Sequence, residues 1–379
     1  MIDILPNSGG GFHMAKSICQ IIKNQDNRKI DFKFLTTYRQ TKKILEDELN
    51  LKINLFNKNS IFNRFLSKIY KIKLFSNLIK FSPLEKYLKN NFFDLIYFIS
   101  PSYLITQCKK IDSVYTIWET QFNDLQKLPE YQNNIINLRH DSFNFASKYS
   151  KKIFVGTGEL ANEVKKLYAT KTNKLFYQPI PPYIISKKMK KNYKSKNNFI
   201  NKIIKNKYYF YPAQYWKHKN HEYIIKAFKL LDKKKIDFKI VFSGYDKGYL
   251  SNLELLAKKM NCSNFFIFLN YVSDDDLIFL YKNCSALIIP SLVGTHTFPL
   301  YEGFYFKKPL IYNSKNLDQK FRENVISLNT DDLKSLGKCI NYINKKNLKS
   351  MIESNFALYQ KNFLDINSLV NYFLHFKKN

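Results

Sequence analysis

The sequence predicts an α/β protein built from two doubly wound, Rossmann-like parallel-sheet domains facing a cleft. Three observations predict it. Short apolar runs of strand length alternate with longer stretches of helical spacing. Two such series occur, and a Lys- and Asn-rich stretch of poor periodicity, residues 183–207, lies between them, with no Asp or Glu between Glu163 and Glu222. The length, 379 residues, suits two or three domains that each bury a core.

In the first series, residues 2–5 form an apolar strand, 6–11 a Gly-rich turn and 13–22 a helix. Residues 32–36, 95–99, 114–118 and 152–155 are strand-like, and 158–167 is the helix after the last of them. In the second series the strands are 208–211, 238–243, 265–269, 286–289 and 310–312. The intervening helices are 221–231, 250–260 and 274–281, with Ser273 as N-cap of the third. Residues 348–376 are helical. This divides the chain into a first domain at 1–185, a basic linker at 186–206, a second domain at 207–345 and carboxy-terminal helices at 346–379 that pack back on the first domain. Ligands of such sheets bind beyond the carboxyl ends of the strands.

Composition narrows the function. The longest apolar candidate, residues 92–105, is interrupted by Pro101 and is shorter than the ~18 residues a membrane span needs. No basic region followed by an apolar stretch opens the chain, so no signal peptide is expected. Cys19, Cys108, Cys262, Cys284 and Cys339 are widely spaced and include no Cys-x-x-Cys, which fits reduced cytosolic thiols and no metal site. The net charge of +32 comes almost wholly from Lys, alongside heavy Asn, Ile, Phe and Tyr usage. That is an AT-rich coding bias. Arg, which reads bases and clamps phosphates, is scarce, so a nucleic-acid partner is not expected. The cationic surface still favours anionic ligands or membranes.

The segment from Cys284 to Pro309 is the most informative. After the strand 286–289 and Pro290, a polar loop over 294–297 leads into a helix that opens with Pro299 and Tyr301 to Phe306. A loop opening onto a helix N-terminus offers unpaired N–H groups and a positive dipole end to phosphate. Glu302, in the first turn, suits the paired hydroxyls of a ribose; the other reading is that it only offsets the helix dipole. Three further blocks precede it in order. They are Pro212-Ala213-Gln214-Tyr215-Trp216-Lys217-His218-Lys219-Asn220-His221, Ser243-Gly244, and Asn270-Tyr271-Val272-Ser273 with Asp274-Asp275-Asp276-Leu277.

Together the four blocks resemble the donor-binding domain of family 4 glycosyltransferases, which have the GT-B fold. The likeness is strongest to the subgroup with Pro-Ala-Gln-x-Trp-x-His-Lys-Asn-His and a single Glu before the donor helix. It extends more loosely into the first half through Gly9-Gly10-Gly11, Thr116-Ile117-Trp118-Glu119, Leu128-Pro129-Glu130 and Arg139. The resemblance implies an acceptor-binding first domain and a nucleotide-sugar-binding second domain.

Roles follow residue by residue. Lys219 is in the position of the donor-diphosphate lysine, and Gln214 stands where many relatives have Arg, so it can hydrogen-bond phosphate without neutralising it. Glu302 matches the second Glu of the family's Glu-x7-Glu pattern; Gly294 stands at the first. Backbone N–H groups of Thr295, His296, Thr297 and Phe298 face the sugar and diphosphate, and His296 is the histidine in that ligand-facing loop. Tyr271, Val272 and Ser273 lie beside the base, with Leu277 as apolar support, and Ser243 and Gly244 complete the donor set. Lys219, Glu302 and His296 form the catalytic set; Gly9, Gly10, Gly11, Trp118 and Glu119 form the acceptor and diphosphate loop. Phe122 stands where relatives usually have His.

The family transfers sugar with retention from a nucleotide-sugar, GDP-mannose or a UDP-sugar, to a glycan or polyprenyl-linked acceptor. It uses no cofactor and no protein-bound metal. The expected role is bacterial surface polysaccharide synthesis, such as O-antigen, in the cytoplasm or on the inner face of the cell membrane. Between Ile61 and Lys89, Phe62, Phe65, Leu66, Ile69, Ile72, Phe75, Leu78 and Ile79 interleave with Arg64, Lys68, Lys71, Lys73 and Lys80. Such a segment suits docking on anionic lipid; a core-facing helix pair with lysines outside is the other reading. The rival functions are a non-catalytic relative, suggested by Gln214, Gly294 and Phe122, and a basic nucleic-acid or anionic-surface binding protein, suggested by charge.

Overall fold

The computed structural model describes residues 1–24, 30–57, 81–122, 128, 135–186, 193–293, 298–317, 319–363 and 368–374. The chain divides into two compact units. Unit 1 comprises Met1–Asn123, Tyr131–Ile180 and Asp365–Asn379; unit 2 comprises Asp124–Glu130 and Pro181–Leu364.

Unit 1 holds β1 (Phe34–Thr36) paired with β2 (Ile53–Leu55), and a parallel sheet of β3 (Leu95–Phe98), β4 (Asp112–Ile117), β5 (Lys152–Val155) and β6 (Leu175–Tyr177) in that order. The segment at Met1 and Ile2 joins the two sheets. Ile2 N donates to Leu35 O at 2.7 Å, Met1 N donates to Tyr97 O at 2.7 Å, and Ile99 N donates to Met1 O at 3.0 Å. The expected strand at 2–5 is therefore reduced to a single bridge, Ile2 to Thr36. Beyond it, Asp3 N donates to Ser100 Oγ at 2.9 Å, and the Asp3 carboxylate accepts from Ser102 Oγ at 2.6 Å and from Thr37 Oγ1. Side chains take over the pairing there, and Pro6 opens a 3-10 turn, Pro6–Ser8.

The helices of unit 1 are α1 (Gly10–Lys23), α2 (Arg39–Leu49), α3 (Pro83–Asn90), α4 (Ile135–Tyr149) and α5 (Gly158–Tyr168), with a 3-10 turn, Tyr103–Gln107, after β3. Helix α1 buries Phe12, Ala15, Ile18, Cys19 and Ile22 at helical spacing. Of the proposed lipid-docking segment, residues 61–80 lie outside the described residues. In the described remainder, α3 buries Leu84 and Leu88, and Glu85 is a buried cap that accepts from Ser82 N at 3.0 Å and Lys110 N at 2.6 Å.

Unit 2 is a six-stranded parallel sheet in the order β12-β11-β10-β7-β8-β9, formed by β7 (Lys207–Pro212), β8 (Phe238–Ser243), β9 (Phe266–Leu269), β10 (Ala286–Ile289), β11 (Leu310–Asn313) and β12 (Ile326–Leu328). Residues 208–211 and 286–289 are buried throughout, as strands covered on both faces require. Two short helices, Tyr183–Ser186 and Asn198–Ile203, precede β7, the second within the expected linker, and the others are α6 (His221–Phe228), α7 (Leu250–Lys259), α8 (Asp274–Asn283), α9 (Phe298–Tyr305), α10 (Ser335–Lys345) and α11 (Lys349–Asn362). Read from β9, this is the dinucleotide-fold order 3-2-1-4-5-6, and winding reverses between β7 and β10.

The carboxy-terminal helices part company. Helix α11 belongs to unit 2, where Phe363 and Tyr359 meet Tyr301 and Tyr305. Only α12 (Ser368–Leu374) lies in unit 1; its Phe373 and Tyr372 pack on Tyr97, Phe154 and Phe176. Aromatic complementarity at each end, and not helical periodicity, sorts the two. Among the described residues no helix is long and apolar enough to cross a membrane. The five cysteines are buried free thiols.

Candidate active site

The loop after β7 is built first. Tyr215 is fully buried; its N donates to Tyr245 O at 3.1 Å and its hydroxyl to Leu269 O at 2.7 Å, pinning the loop to the ends of β8 and β9. Gly244 permits this approach, because a Cβ there would overlap the Ala213 carbonyl. Trp216 Nε1 donates to Gln214 Oε1 at 3.0 Å and so orients the Gln214 amide. A 3-10 turn, Lys217–Lys219, then leads through Asn220, whose φ of 57° is left-handed, into α6.

The loop after β10 is tied to it. Leu292 N donates to His218 O at 2.8 Å, Asn220 Nδ2 to Pro290 O at 3.3 Å, and Tyr211 Oη to Lys219 O at 2.9 Å. Half-buried Lys219 therefore sits at the topological switch point, beside the segment that leads towards α9. His221, in the first turn of α6, is enclosed by the rings of Tyr211, Tyr215 and Phe242, and its ring nitrogens have no hydrogen-bond partner among the described residues. The Ala213 backbone favours the protonated ring slightly without reaching hydrogen-bond geometry; burial, reinforced by Lys219, prevails and pushes the imidazole down to about 3. His221 is thus a neutral packing residue.

Glu302 is only 6% exposed. Helix α9 starts at Phe298, one residue before Pro299, so Glu302 falls in the second turn and does not offset the dipole of the first. Gly303 lets α9 lie close on the sheet, since a Cβ there would be 2.8 Å from Leu310 Cδ2. Tyr281 of α8 donates its hydroxyl to Glu302 Oε2. Burial raises the Glu302 carboxyl to about 8; the Tyr281 bond opposes this and buried Asp274 adds to it. Burial, and then the Glu302 carboxylate, hold the Tyr281 phenol well above its ordinary value. Of the loop before α9, Gly294, Thr295, His296 and Thr297 lie outside the described residues.

The ends of β8 and β9 complete the edge. Ser243 Oγ donates to Asn270 O at 3.3 Å. Tyr271, half-exposed, stacks on Tyr245 with centroids 4.5 Å apart and planes at 14°. Lys247 lies 5.6 Å over the Trp216 ring and 5.9 Å over Tyr245, and burial lowers its pKa. Sequence motifs did not single out Tyr245 and Lys247; their place just after Ser243-Gly244 was the available signal. Ser273 caps α8 by accepting from Asp276 N at 3.2 Å, and Val272 and Leu277 are half-buried beside it.

In unit 1, Gly9 adopts φ 62°, and a Cβ on Gly11 would sit 2.7 Å from Trp118 Cζ3, so the glycine loop and Trp118 are in contact. Glu119 pairs with Arg139 at 2.8 Å. The Arg139 guanidinium lies 5.2 Å over Phe122, which is fully buried against His140 and Phe143. His140 Nδ1 shares a hydrogen bond with Tyr168 Oη at 3.0 Å.

Residues 193–352 match the family described as glycosyl transferases group 1. The whole chain superposes on solved structures of low sequence identity. Anabaena HepE, solved with UDP and glucose, has a TM-score of 0.72 at 13% identity over 98% of each chain. Sucrose-phosphate synthase from Thermosynechococcus elongatus has 0.73 at 11% identity, over 100% of this chain and 99% of that one. A glycosyltransferase from Rickettsia africae has 0.65 at 15% identity, over 98% and 97%. The fold is GT-B, and residues 193–352 carry a group 1 glycosyltransferase domain. No curated protein matches the sequence.

Every described donor residue named from the sequence, from Gln214 to Glu302, lies within the group 1 domain. Gly9, Gly10, Gly11, Trp118 and Glu119 lie outside it, in unit 1.

Proposed function

We propose that the protein is a retaining glycosyltransferase. It moves a sugar from GDP-mannose or a UDP-sugar to a glycan or polyprenyl-linked acceptor during synthesis of a bacterial surface polysaccharide. The observation that carries this reading is the convergence of the Lys219 turn with the loop after β10 at the switch point of the group 1 domain. Lys219 takes up charge on the departing nucleoside diphosphate, and Gln214 hydrogen-bonds its oxygens. Glu302 receives the ribose diol. HepE, with UDP and glucose, and a further HepE structure, with UDP-glucose, support including UDP-glucose among the donors tested. The acceptor binds beside Gly9, Gly10, Gly11, Trp118 and Glu119, and the enzyme works in the cytoplasm, where a lipid-linked acceptor brings it to the membrane.

The test is a thermal-shift and calorimetric titration with GDP-mannose, UDP-glucose, UDP-galactose and UDP-N-acetylglucosamine, in EDTA, on wild type and Lys219→Ala. One donor should stabilise the wild type, and Lys219→Ala should lose most of the response. Silence across the panel, with tight salt-sensitive binding to RNA or anionic vesicles, would return the protein to the anionic-surface reading.

A further inference from the structure

Helix α4 carries two apolar stripes. Ile136, Phe143 and Ala146 are buried in the core of unit 1. Leu138, Phe145 and Tyr149 recur at i, i+7 and i+11 on another face, with Ser142 between, and this face stays partly open: Leu138 is 45% and Tyr149 43% exposed. Across from it, on the 3-10 turn after β3, Tyr103 is 41% exposed. These side chains, with Asp141 and Asn144, line a cavity of about 430 Å3, within the roughly 300–1,000 Å3 of small-ligand sites.

We infer that this groove binds an oligosaccharide, at a site separate from the donor residues. A pyranose has an apolar C–H face and a rim of hydroxyls. The first lies well on an aromatic ring, and the second pairs with carboxylate and amide groups. Tyr103, Phe145 and Tyr149 supply rings, and Asp141 and Asn144 supply polar groups on the same groove. The Tyr149 ring is braced, with Phe145 at 4.5 Å and Lys148 Nζ 5.2 Å over it. Thr106 Oγ1 holds the opposite wall by donating to Tyr103 O at 2.8 Å. The lining carries one carboxylate, Asp141, and one ammonium, Lys148, so it has no net charge to draw it to an anionic lipid surface.

Leu138 of the groove directly precedes Arg139, the partner of Glu119 just beyond β4, on the same helix. The groove's lining on α4 extends from Leu138 to Tyr149. If the transferase reading holds, the groove grips the distal sugars of an extended acceptor, and this use of the site rests on that reading.

The experiment is saturation-transfer NMR on the full chain with tetrasaccharides of mannose, glucose, galactose and N-acetylglucosamine. At least one should receive saturation from the wild type. Tyr103→Ala/Tyr149→Ala should weaken it roughly tenfold or more, while Tyr149→Phe should retain it. Nucleotide-sugar thermal shifts should be unchanged in both variants. No transfer to any tetrasaccharide, or transfer that survives the double alanine variant, overturns the site. So does a double variant whose only loss is binding to phosphatidylglycerol vesicles. Saccharide binding in a protein that responds to no nucleotide-sugar would uphold the groove and reject the transferase reading.

Discussion

Tyr281 and Glu302, 21 residues apart, meet as a buried phenol donating to a buried carboxyl, and the phenol opposes the burial that raises the pKa of the proposed ribose-binding residue. Helix α8 supplies one partner and α9 the other.

The first prediction concerns pH. Burial raises Glu302 from the ordinary 4.5 to about 8. Between those values the folded protein holds a proton that the unfolded chain has released. The native state therefore loses stability as pH rises through that window, and the penalty is complete above about 8. Glu302→Gln needs no such proton. Its Tm should gain on that of the wild type as pH rises from 5 to 9, and parallel Tm curves would reject a raised carboxyl. Donor binding should run the other way. An ionised Glu302 accepts both ribose hydroxyls, so nucleotide-sugar affinity should tighten towards pH 8 with proton uptake by the buffer.

Tyr281→Phe removes a hydrogen bond that lowers the Glu302 pKa. A buried acceptor left unmet costs about 1–3 kcal/mol. The variant should melt several degrees lower, and the pH at which its donor affinity rises should move upwards. An unchanged pH profile would detach Tyr281 from the site.

Glycines on one loop separate packing from backbone strain. Gly244→Ala forces a Cβ onto the Ala213 carbonyl, parts the loops that carry Gln214 and Lys219, and should weaken donor binding together with stability. Gly248 has φ +88° and open space around it, so Gly248→Ala should cost about 1–2 kcal/mol of backbone strain and leave donor affinity unaltered. Equal donor affinities in the two variants would show that the close approach at Gly244 does not shape the site.

Legibility followed burial. Strands β5, β8 and β10 have the bounds their apolar runs predict, because parallel strands covered on both faces leave an unbroken signal. Strands β2, β6 and β12 are three residues each, and the half-exposed Leu175, Phe176 and exposed Tyr177 of β6 give no run to detect. Ser273 was readable as a cap because capping is local. The Tyr281–Glu302 pair and the Tyr245–Lys247–Trp216 cluster were not, since each depends on which strand ends lie side by side. The start of α9 was legible to within one residue from Pro299, but that one residue moves Glu302 from the first turn into the second.

Phe122, read from the sequence as standing in place of a His, is a packing residue. It lies between the Arg139 guanidinium and the rings of His140 and Phe143, with no exposed surface. An imidazole introduced there would be desolvated beside a cation, which keeps it neutral, and its polar nitrogens would need partners that an aromatic cluster lacks. Phe122→His should therefore destabilise unit 1 by about 1–3 kcal/mol and leave sugar transfer no faster. The check is Tm together with turnover on whichever donor the titration identifies. Faster transfer at unchanged Tm would mean that the fully packed Phe122 had displaced a working histidine.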